Sequence, residues 1–300
     1  LVVGRWTSHS PNHQTTKSPN HNMKKVVIQG FPGAFHEVAA RRFWQGEALD
    51  IVPAATFDDL VHLAECPQTA DAAVMAIENT IAGSILKNYK LLNDSKLEVV
   101  GEVFLRIRQN LLVLPGTRIE DLREVHSHPM ALLQCEEFFK NYPAIRLVES
   151  ADTALSARQV RENGDPAVAA IASIYAAELF ELNVLAESIE SFESNFTRFL
   201  VLKRRNGMPP PAAQKVSLRV ETAHSPGSLH RVLGALAEKG ANLTKIQSVP
   251  DPGNPFHYFF FMDYLLTEAS QFEASLAAIR PWTLSINVLG NYQPGNFYEN

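Results

Sequence analysis

Short apolar runs bounded by turn residues recur through the first two hundred residues. They include Val26-Val27-Ile28, Ala72-Ala73-Val74-Met75-Ala76-Ile77, Leu111-Leu112-Val113-Leu114 and Val168 to Ile171. Such runs read as buried strands, although periodicity alone does not separate a strand from a buried helix. Between them the apolar residues return at helical spacing, as in Phe35, Val38, Ala39 and Phe43. Further helices are predicted over residues 57–64, 85–92, 153–161 and 173–180. Strand and helix alternate from Met23 to about Lys203. The pattern predicts an α/β region with a parallel or mixed sheet and covering helices.

The pattern changes after residue 203. Residues 204–214 hold Asn206-Gly207-Met208-Pro209-Pro210-Pro211 and read as an extended, semi-rigid linker. Val216, Leu218 and Val220 alternate as in a half-buried strand. Ser225-Pro226-Gly227 then opens a helix with Leu229, Val232, Leu233 and Leu236 on one face, and Gly240 closes it. Strand, strand, helix and strand follow. The order β-α-β-β-α-β is the ferredoxin-like split unit. The expected organisation is a body over residues 23–203, a linker over 204–214, a small domain over 215–293 and a tail over 294–300. Residues 1–22 are rich in Ser, Thr, Asn, His and Pro and precede Met23-Lys24-Lys25. They are read as a disordered or added segment outside the fold.

Composition narrows the classes. The 300 residues are 46% hydrophobic and 20% charged, enough for a sizeable core in about two domains. The net charge is −5 and no Lys/Arg stripe is present, so nucleic acid is not an expected partner. Cys66 and Cys135 form no spaced pair, so neither a zinc site nor a disulfide framework is indicated. A reducing, cytoplasmic location is the simplest expectation. No apolar stretch approaches the ~20 residues that cross a bilayer.

Polar clusters fall at the predicted strand ends, where open α/β sheets bind ligands. They are Glu78-Asn79, Ser127-His128, Asp152-Thr153 and Asn195-Phe196-Thr197-Arg198. Each has a structural reading too. Ser127 stands where a helix N-cap is expected, and Thr197-Arg198 suits a turn that ties a loop to a strand. Gly30-Phe31-Pro32-Gly33 between strand and helix is either a tight turn or an anion site at a helix N-terminus. It lacks the third glycine of a dinucleotide fingerprint. Ser127 and His128 are adjacent and no Gly-x-Ser-x-Gly elbow exists, which rules out a hydrolase triad.

Taken together these motifs resemble the prephenate dehydratases that carry a C-terminal ACT regulatory domain. The resemblance runs from Met23 to about Tyr292. It rests on Gly30-Phe31-Pro32-Gly33-Ala34-Phe35, Ile77-Glu78-Asn79-Thr80 with Gly83, and Ser127-His128-Pro129 with Gln134-Cys135. It also rests on Asp152-Thr153-Ala154 and Asn195-Phe196-Thr197-Arg198-Phe199. The small domain matches through Pro226-Gly227-Ser228-Leu229 and Asn242-Leu243-Thr244-Lys245-Ile246.

The resemblance implies two α/β lobes like a periplasmic binding protein, with the site between them, plus a ferredoxin-like ACT domain. It implies conversion of prephenate to phenylpyruvate with loss of water and carbon dioxide, and no cofactor or metal. Thr197 matches the family's essential threonine and is the expected donor to the departing oxygen. Glu78 is a second catalytic candidate, as a proton source if burial raises its pKa. Asn79, Ser127, Gln134 and Thr153 are expected to hold carboxylates and hydroxyls. Arg198 either binds a carboxylate or braces the turn. L-Phenylalanine is the implied effector, at Pro226, Gly227, Ser228, Leu229, Asn242 and Leu243. Pairing of ACT domains implies a homo-oligomer, dimer or tetramer.

Two positions depart from the family pattern. Gln109 stands where many members carry His, so acid–base chemistry is not expected there. Gln247-Ser248-Val249-Pro250 replaces a Glu-Ser-Arg-Pro element of phenylalanine-controlled members, and Ser228 replaces a small Ala. Arogenate dehydratase is the near alternative, with the same chemistry on the aminated substrate. A non-enzymatic amino-acid sensor is the alternative from another class.

Overall fold

A computed structural model describes residues 23–206, 213–251, 253 and 257–299. The expectation for residues 1–22 and most of the linker therefore lie outside the described residues.

The first lobe opens with β1 (Lys24–Gln29), α1 (Phe35–Phe43), β2 (Leu49–Ala54), α2 (Phe57–Glu65) and β3 (Ala72–Asn79). The short β4 (Gly83–Ser84), α3 (Leu86–Asp94) and β5 (Leu97–Arg106) complete its outward run. Local chemistry sets these elements. Thr56 and Asp59 form a reciprocal capping box at the start of α2. Val26, Val27 and Ile28 of β1 are fully buried, because helices cover both faces of the sheet.

The second lobe holds β6 (Asn110–Val113), β7 (Glu124–Ser127), α4 (Pro129–Phe139), β8 (Arg146–Glu149), α5 (Thr153–Asn163), β9 (Val168–Ala172), α6 (Ile174–Leu179) and β10 (Asn183–Ala186). Its sheet order is β10-β6-β9-β7-β8. The chain then returns through β11 (Phe196–Arg204), which enters the first sheet between β5 and β3, antiparallel to both. The two crossing segments pair with each other, Ile107 N–H donating to the Asn195 carbonyl and Ile189 N–H to that of Gln109 (2.7 and 2.8 Å). Two α/β lobes thus face each other across a doubly crossed hinge, the architecture of a periplasmic binding protein.

The third unit is β12 (Lys215–Glu221), α7 (Ser228–Glu238), β13 (Asn242–Pro250), β14 (Tyr258–Leu265), α8 (Phe272–Ile279) and β15 (Ser285–Tyr292). Its sheet order β13-β14-β12-β15 is antiparallel throughout and ferredoxin-like. This unit does not float on its linker. Phe261, Leu289 and Tyr292 join Leu200, Leu202 and Met75 of the first lobe in a single apolar cluster. Gly290 lies so close to β5 that an added Cβ would stand 2.3 Å from the Val99 carbonyl oxygen.

Within the expected tail over residues 294–300, the described residues carry a short strand. β16 (Phe297–Tyr298) runs parallel to β5 and extends the first sheet to the order β16-β5-β11-β3-β1-β2. Phe297 stacks on Phe104 at 4.5 Å, and Glu299 takes a hydrogen bond from Arg106 at 2.8 Å. The segment is too short to show strand periodicity, and its pairing is decided by the aromatic face that β5 presents.

Candidate active site

β3 ends and β11 begins at the same point, with Asn79 and Thr197 register partners. Both side chains face a cavity of about 300 Å³ between the lobes. The Asn79 carboxamide is fixed at both ends. Its Oδ1 accepts the amides of Ile81 and Ala82, each at 2.9 Å. Its Nδ2 therefore donates to Thr197 Oγ1 (3.0 Å) and Asn195 Oδ1 (2.7 Å). Because Thr197 Oγ1 accepts from Asn79, its own hydrogen is left to donate elsewhere.

A chain of amides continues along the same wall. Asn195 Nδ2 donates to Gln134 Oε1 at 3.1 Å, and Gln109 Nε2 to the same oxygen at 3.3 Å. Gln109 Oε1 is buried and without a hydrogen-bond partner. It is an acceptor waiting for a donor, since a buried polar atom left unpaired costs free energy.

Three helices start at the cavity. Ala34 and Phe35 bring the N-terminus of α1, His128 and Met130 that of α4, and Asp152 and Thr153 that of α5. His128 Nδ1 caps the Met130 amide at 3.2 Å. Asp152 Oδ1 caps the amides of Ala154 (2.8 Å) and Leu155 (3.0 Å). Among the described residues no Lys or Arg lines the cavity. The three helix N-termini direct their dipoles at the cavity, which favours anions, while His128 and Asp152 already take up amides at the starts of α4 and α5. Burial raises the pKa of Asp152, against the pull of the Leu155 and Ala154 amides.

One wall is apolar. His36 meets Phe199 edge-on at 5.0 Å and lies 5.7 Å from Phe57. Its Nε2 accepts the Ala76 amide at 3.3 Å. Burial lowers its pKa to about 3, so the ring is neutral at physiological pH and counts as part of the aromatic wall.

The structure brings together Thr197, Asn79, Gln134 and Thr153. It does not bring Glu78, Arg198 or Ser127 to the cavity. Side chains alternate across a strand, so Glu78 and Arg198, one step from Asn79 and Thr197, project from the opposite face. Glu78 Oε1 accepts from Lys245 Nζ at 2.7 Å, and the Arg198 guanidinium is enclosed by Glu102, Asp263 and Tyr292. Arg198 thus braces the strand, and Glu78 is not placed to give a proton in the cleft. Ser127 is fully buried and donates to the Ile171 carbonyl at 2.7 Å, tying β7 to β9. The Gly30–Gly33 turn is not an open anion site either. The Gly33 amide donates to Glu37 Oε2 at 2.7 Å, and the turn abuts the second lobe.

The sequence placed Asp152 and Asn195 in strand-end clusters without giving either a role, and it did not mark His36. Asn195 is two steps before Thr197 on the same side of the chain, and that alternation was available to find it. Nothing local marked His36, whose place is set by packing against β3.

A second cavity, of about 370 Å³, lies in the third unit between the Ser225–Leu229 loop, His224, His257 and Tyr258. Gly227, Ser228 and Leu229 line it. Asn242 and Leu243 do not, because they begin β13 at its far end, paired with Leu265 and Tyr264.

The family model for prephenate dehydratase matches residues 26–207. The chain belongs to the prephenate dehydratase family. It is similar to an arogenate dehydratase/prephenate dehydratase of Arabidopsis thaliana, 35% identical over 294 residues, which cover 94% of this chain and 76% of that one. Among solved structures it is similar to a prephenate dehydratase from Arthrobacter aurescens in complex with L-Phe, at 27% identity and a TM-score of 0.77 over 90% of each chain. It is also similar to a chain described as a novel type of quorum-quenching acylase, at 32% identity and a TM-score of 0.80 over 90% and 97% of the two chains. Membership of the family makes the chain a carbon–oxygen lyase of the dehydratase class, in aromatic amino-acid biosynthesis. Among the described residues no helix is long and apolar enough to cross a membrane.

Proposed function

We propose that the chain converts prephenate to phenylpyruvate in the cleft, with Thr197 as the catalytic donor. The reaction breaks the bond from the ring to its carboxylate, and that electron pair becomes a ring double bond. The ring C–O bond breaks with its own pair on oxygen, which takes up a proton to leave as water. Aromatisation supplies the driving force, so the protein must orient a dianion and stabilise the departing oxygen. The observation that carries the reading is the Asn79 to Thr197 hydrogen bond, which leaves the Thr197 hydrogen to donate to that oxygen. The starts of α1 and α4 answer the carboxylates, Gln134, held by Asn195, and Thr153 line the polar wall, and the His36 wall receives the ring.

Arogenate is the second substrate reading, because relatives 34–36% identical carry arogenate dehydratase in their names. Asp152 is the carboxylate on the cleft wall that would meet the arogenate ammonium group. The deciding experiment incubates the purified protein with each substrate, following phenylpyruvate absorbance in alkali or phenylalanine release. Thr197→Ala should lose turnover while keeping the fold. Turnover near the normal kcat in that variant would remove Thr197 from this role, and no turnover of either substrate would favour a sensor.

The third unit is read as an ACT domain that binds L-phenylalanine at the Ser225–Leu229 loop. The Arthrobacter aurescens relative, whose name records a complex with L-Phe, supports this. Asn242 and Leu243 reach such a site only from a second copy. β13 is the free edge of its sheet, which suits pairing between copies in a homo-oligomer. Millimolar L-phenylalanine should inhibit and should raise the melting temperature. If L-phenylalanine neither inhibits nor shifts the melting temperature, the regulatory reading fails. The same reading places the protein in the cytoplasm, with catalytic and ACT domains joined at 204–214.

A further inference from the structure

Behind the two cleft-facing residues lies a balanced set of charges that the dehydration chemistry does not use. Arg198 and Glu78 are register partners on β11 and β3, one step from Thr197 and Asn79. Facing them across the interface are Asp263 and Lys245, register partners on β14 and β13. The pairs are complementary: Lys245 Nζ lies 2.7 Å from Glu78 Oε1, and Arg198 Nη1 lies 2.5 Å from Asp263 Oδ2. Lys245 Nζ also donates to Ser84 Oγ on β4, at 2.7 Å.

The set extends inward. Arg198 Nε donates to Glu102 Oε2 at 2.7 Å and Nη2 to the Tyr292 hydroxyl at 2.9 Å. Lys215 Nζ meets the other Glu102 oxygen at 2.7 Å. Arg198, Glu102, Asp263 and Lys215 are all buried. Burial pushes the Asp263 carboxyl up, but Arg198 and Ser217 more than offset it and hold it below the usual carboxylate range. Such a network is costly compared with apolar packing and contributes mainly registration, because only one alignment satisfies every charge. The surrounding Leu200, Leu202, Phe261 and Leu289 cluster would by itself hold the units together without fixing that alignment.

We infer that Lys245 and Asp263 of the ferredoxin-like unit are positioning residues for the dehydration. They grip Glu78 and Arg198 and thereby set the strand ends from which Asn79 and Thr197 enter the cleft. This rests on the reading that Thr197 and Asn79 carry the chemistry. The grip is one residue from the Asn79–Thr197 pair on each strand, so a shift of the small unit is passed to the donor pair through two peptide units. Displacement of a catalytic group by about 1 Å costs on the order of 100-fold in rate.

The test uses the full chain and the Lys245–Glu78 pair, in which Glu78 is partly exposed and Lys245 largely covered, because removing the buried Arg198 or Asp263 endangers folding. Lys245→Met, Glu78→Gln, their double variant and Lys245→Arg are compared with the parent. kcat and KM are measured on prephenate and arogenate, with hydrogen–deuterium exchange of the segments 78–84 and 194–199. Each single neutral variant should lower kcat about tenfold with KM within about twofold, a partial form of the misplacement cost. The double variant should lose no more than either single one, as a coupled pair requires. Lys245→Arg should retain most of kcat, and exchange at both strand ends should rise in the neutral variants. Unchanged kcat and exchange, or losses that multiply in the double variant, would overturn the inference. Normal turnover by Thr197→Ala would instead remove the catalytic reading. Without turnover of either substrate the exchange at the strand ends decides the positioning alone.

Discussion

Asn79 Nδ2 and Thr197 Oγ1 lie 3.0 Å apart, and the direction of that hydrogen bond is set by Asn79 rather than by Thr197. The Asn79 oxygen is already committed to the amides of Ile81 and Ala82. The threonine is therefore an acceptor from one side and a donor into the cleft. Donation into its oxygen polarises the O–H bond and makes it a better donor, as in other hydrogen-bond chains.

Asn79→Ala should consequently lower kcat by about 100-fold or more, the usual range for losing one donor to a developing oxyanion. Thr197→Ser keeps the hydroxyl but frees its rotation, so a loss of about tenfold or less is expected. Steady-state kinetics on both variants checks the order. Equal, severe losses in Thr197→Ser and Thr197→Ala would show that the methyl group, not the hydroxyl, matters.

Half-buried His36, packed against Phe57 and Phe199, makes stability depend on pH. Unfolded, its imidazole binds a proton below about pH 6.5; folded, it does so only below about 3. Between those values the unfolded state holds more protons, so stability falls as the pH falls. The contribution at pH 4.5 is a loss of about 2–3 kcal/mol relative to pH 7, at ~1.4 kcal/mol per pH unit. His36→Asn should remove that slope. Urea unfolding of parent and variant at pH 7, 5.5 and 4.5 measures it, and parallel slopes would contradict the assignment.

Gly30 is one of the points where the lobes come into contact. It holds φ +98°, and an added Cβ would stand 2.7 Å from Asp152 Oδ2. Gly30→Ala should destabilise by about 1–3 kcal/mol from the backbone alone. It should also displace Asp152, raising KM. A variant of normal stability and KM would mean that the turn and Asp152 move freely of each other.

Much of this was legible in the sequence because it is local. Strand ends, helix starts and the split βαββαβ order follow from period and turn chemistry. The cleft members Asn79, Gln134, Thr153 and Thr197 came with them, through the family motifs at those ends. What stayed hidden was direction. Glu78-Asn79 and Thr197-Arg198 are adjacent pairs, and one member of each must face away from the cleft. Which one faces away depends on the register of β11 against β3 and on the charges of a domain far along the chain. His36 and β16 are likewise fixed by tertiary packing that no local pattern records.

The contact between β15 and β5 gives a last test of how firmly the small unit is seated. A Cβ on Gly290 would lie 2.3 Å from the Val99 carbonyl oxygen and 3.0 Å from its carbonyl carbon. Both are backbone atoms of a strand paired with β11, so they cannot turn aside as a side chain can. Gly290→Ala should therefore push β15 off β5, at about 1–3 kcal/mol for overpacking of a tight contact. Since Tyr292 and Asp263 reach Arg198 from this unit, the same shift should loosen the Thr197 strand end and lower kcat along with the melting temperature. Leu284→Ala, at an exposed site in the same unit, serves as the control and should change neither. If Gly290→Ala melts like the parent, the close approach is not a constraint. If it melts lower but keeps its kcat, seating and catalysis are separate properties of this fold.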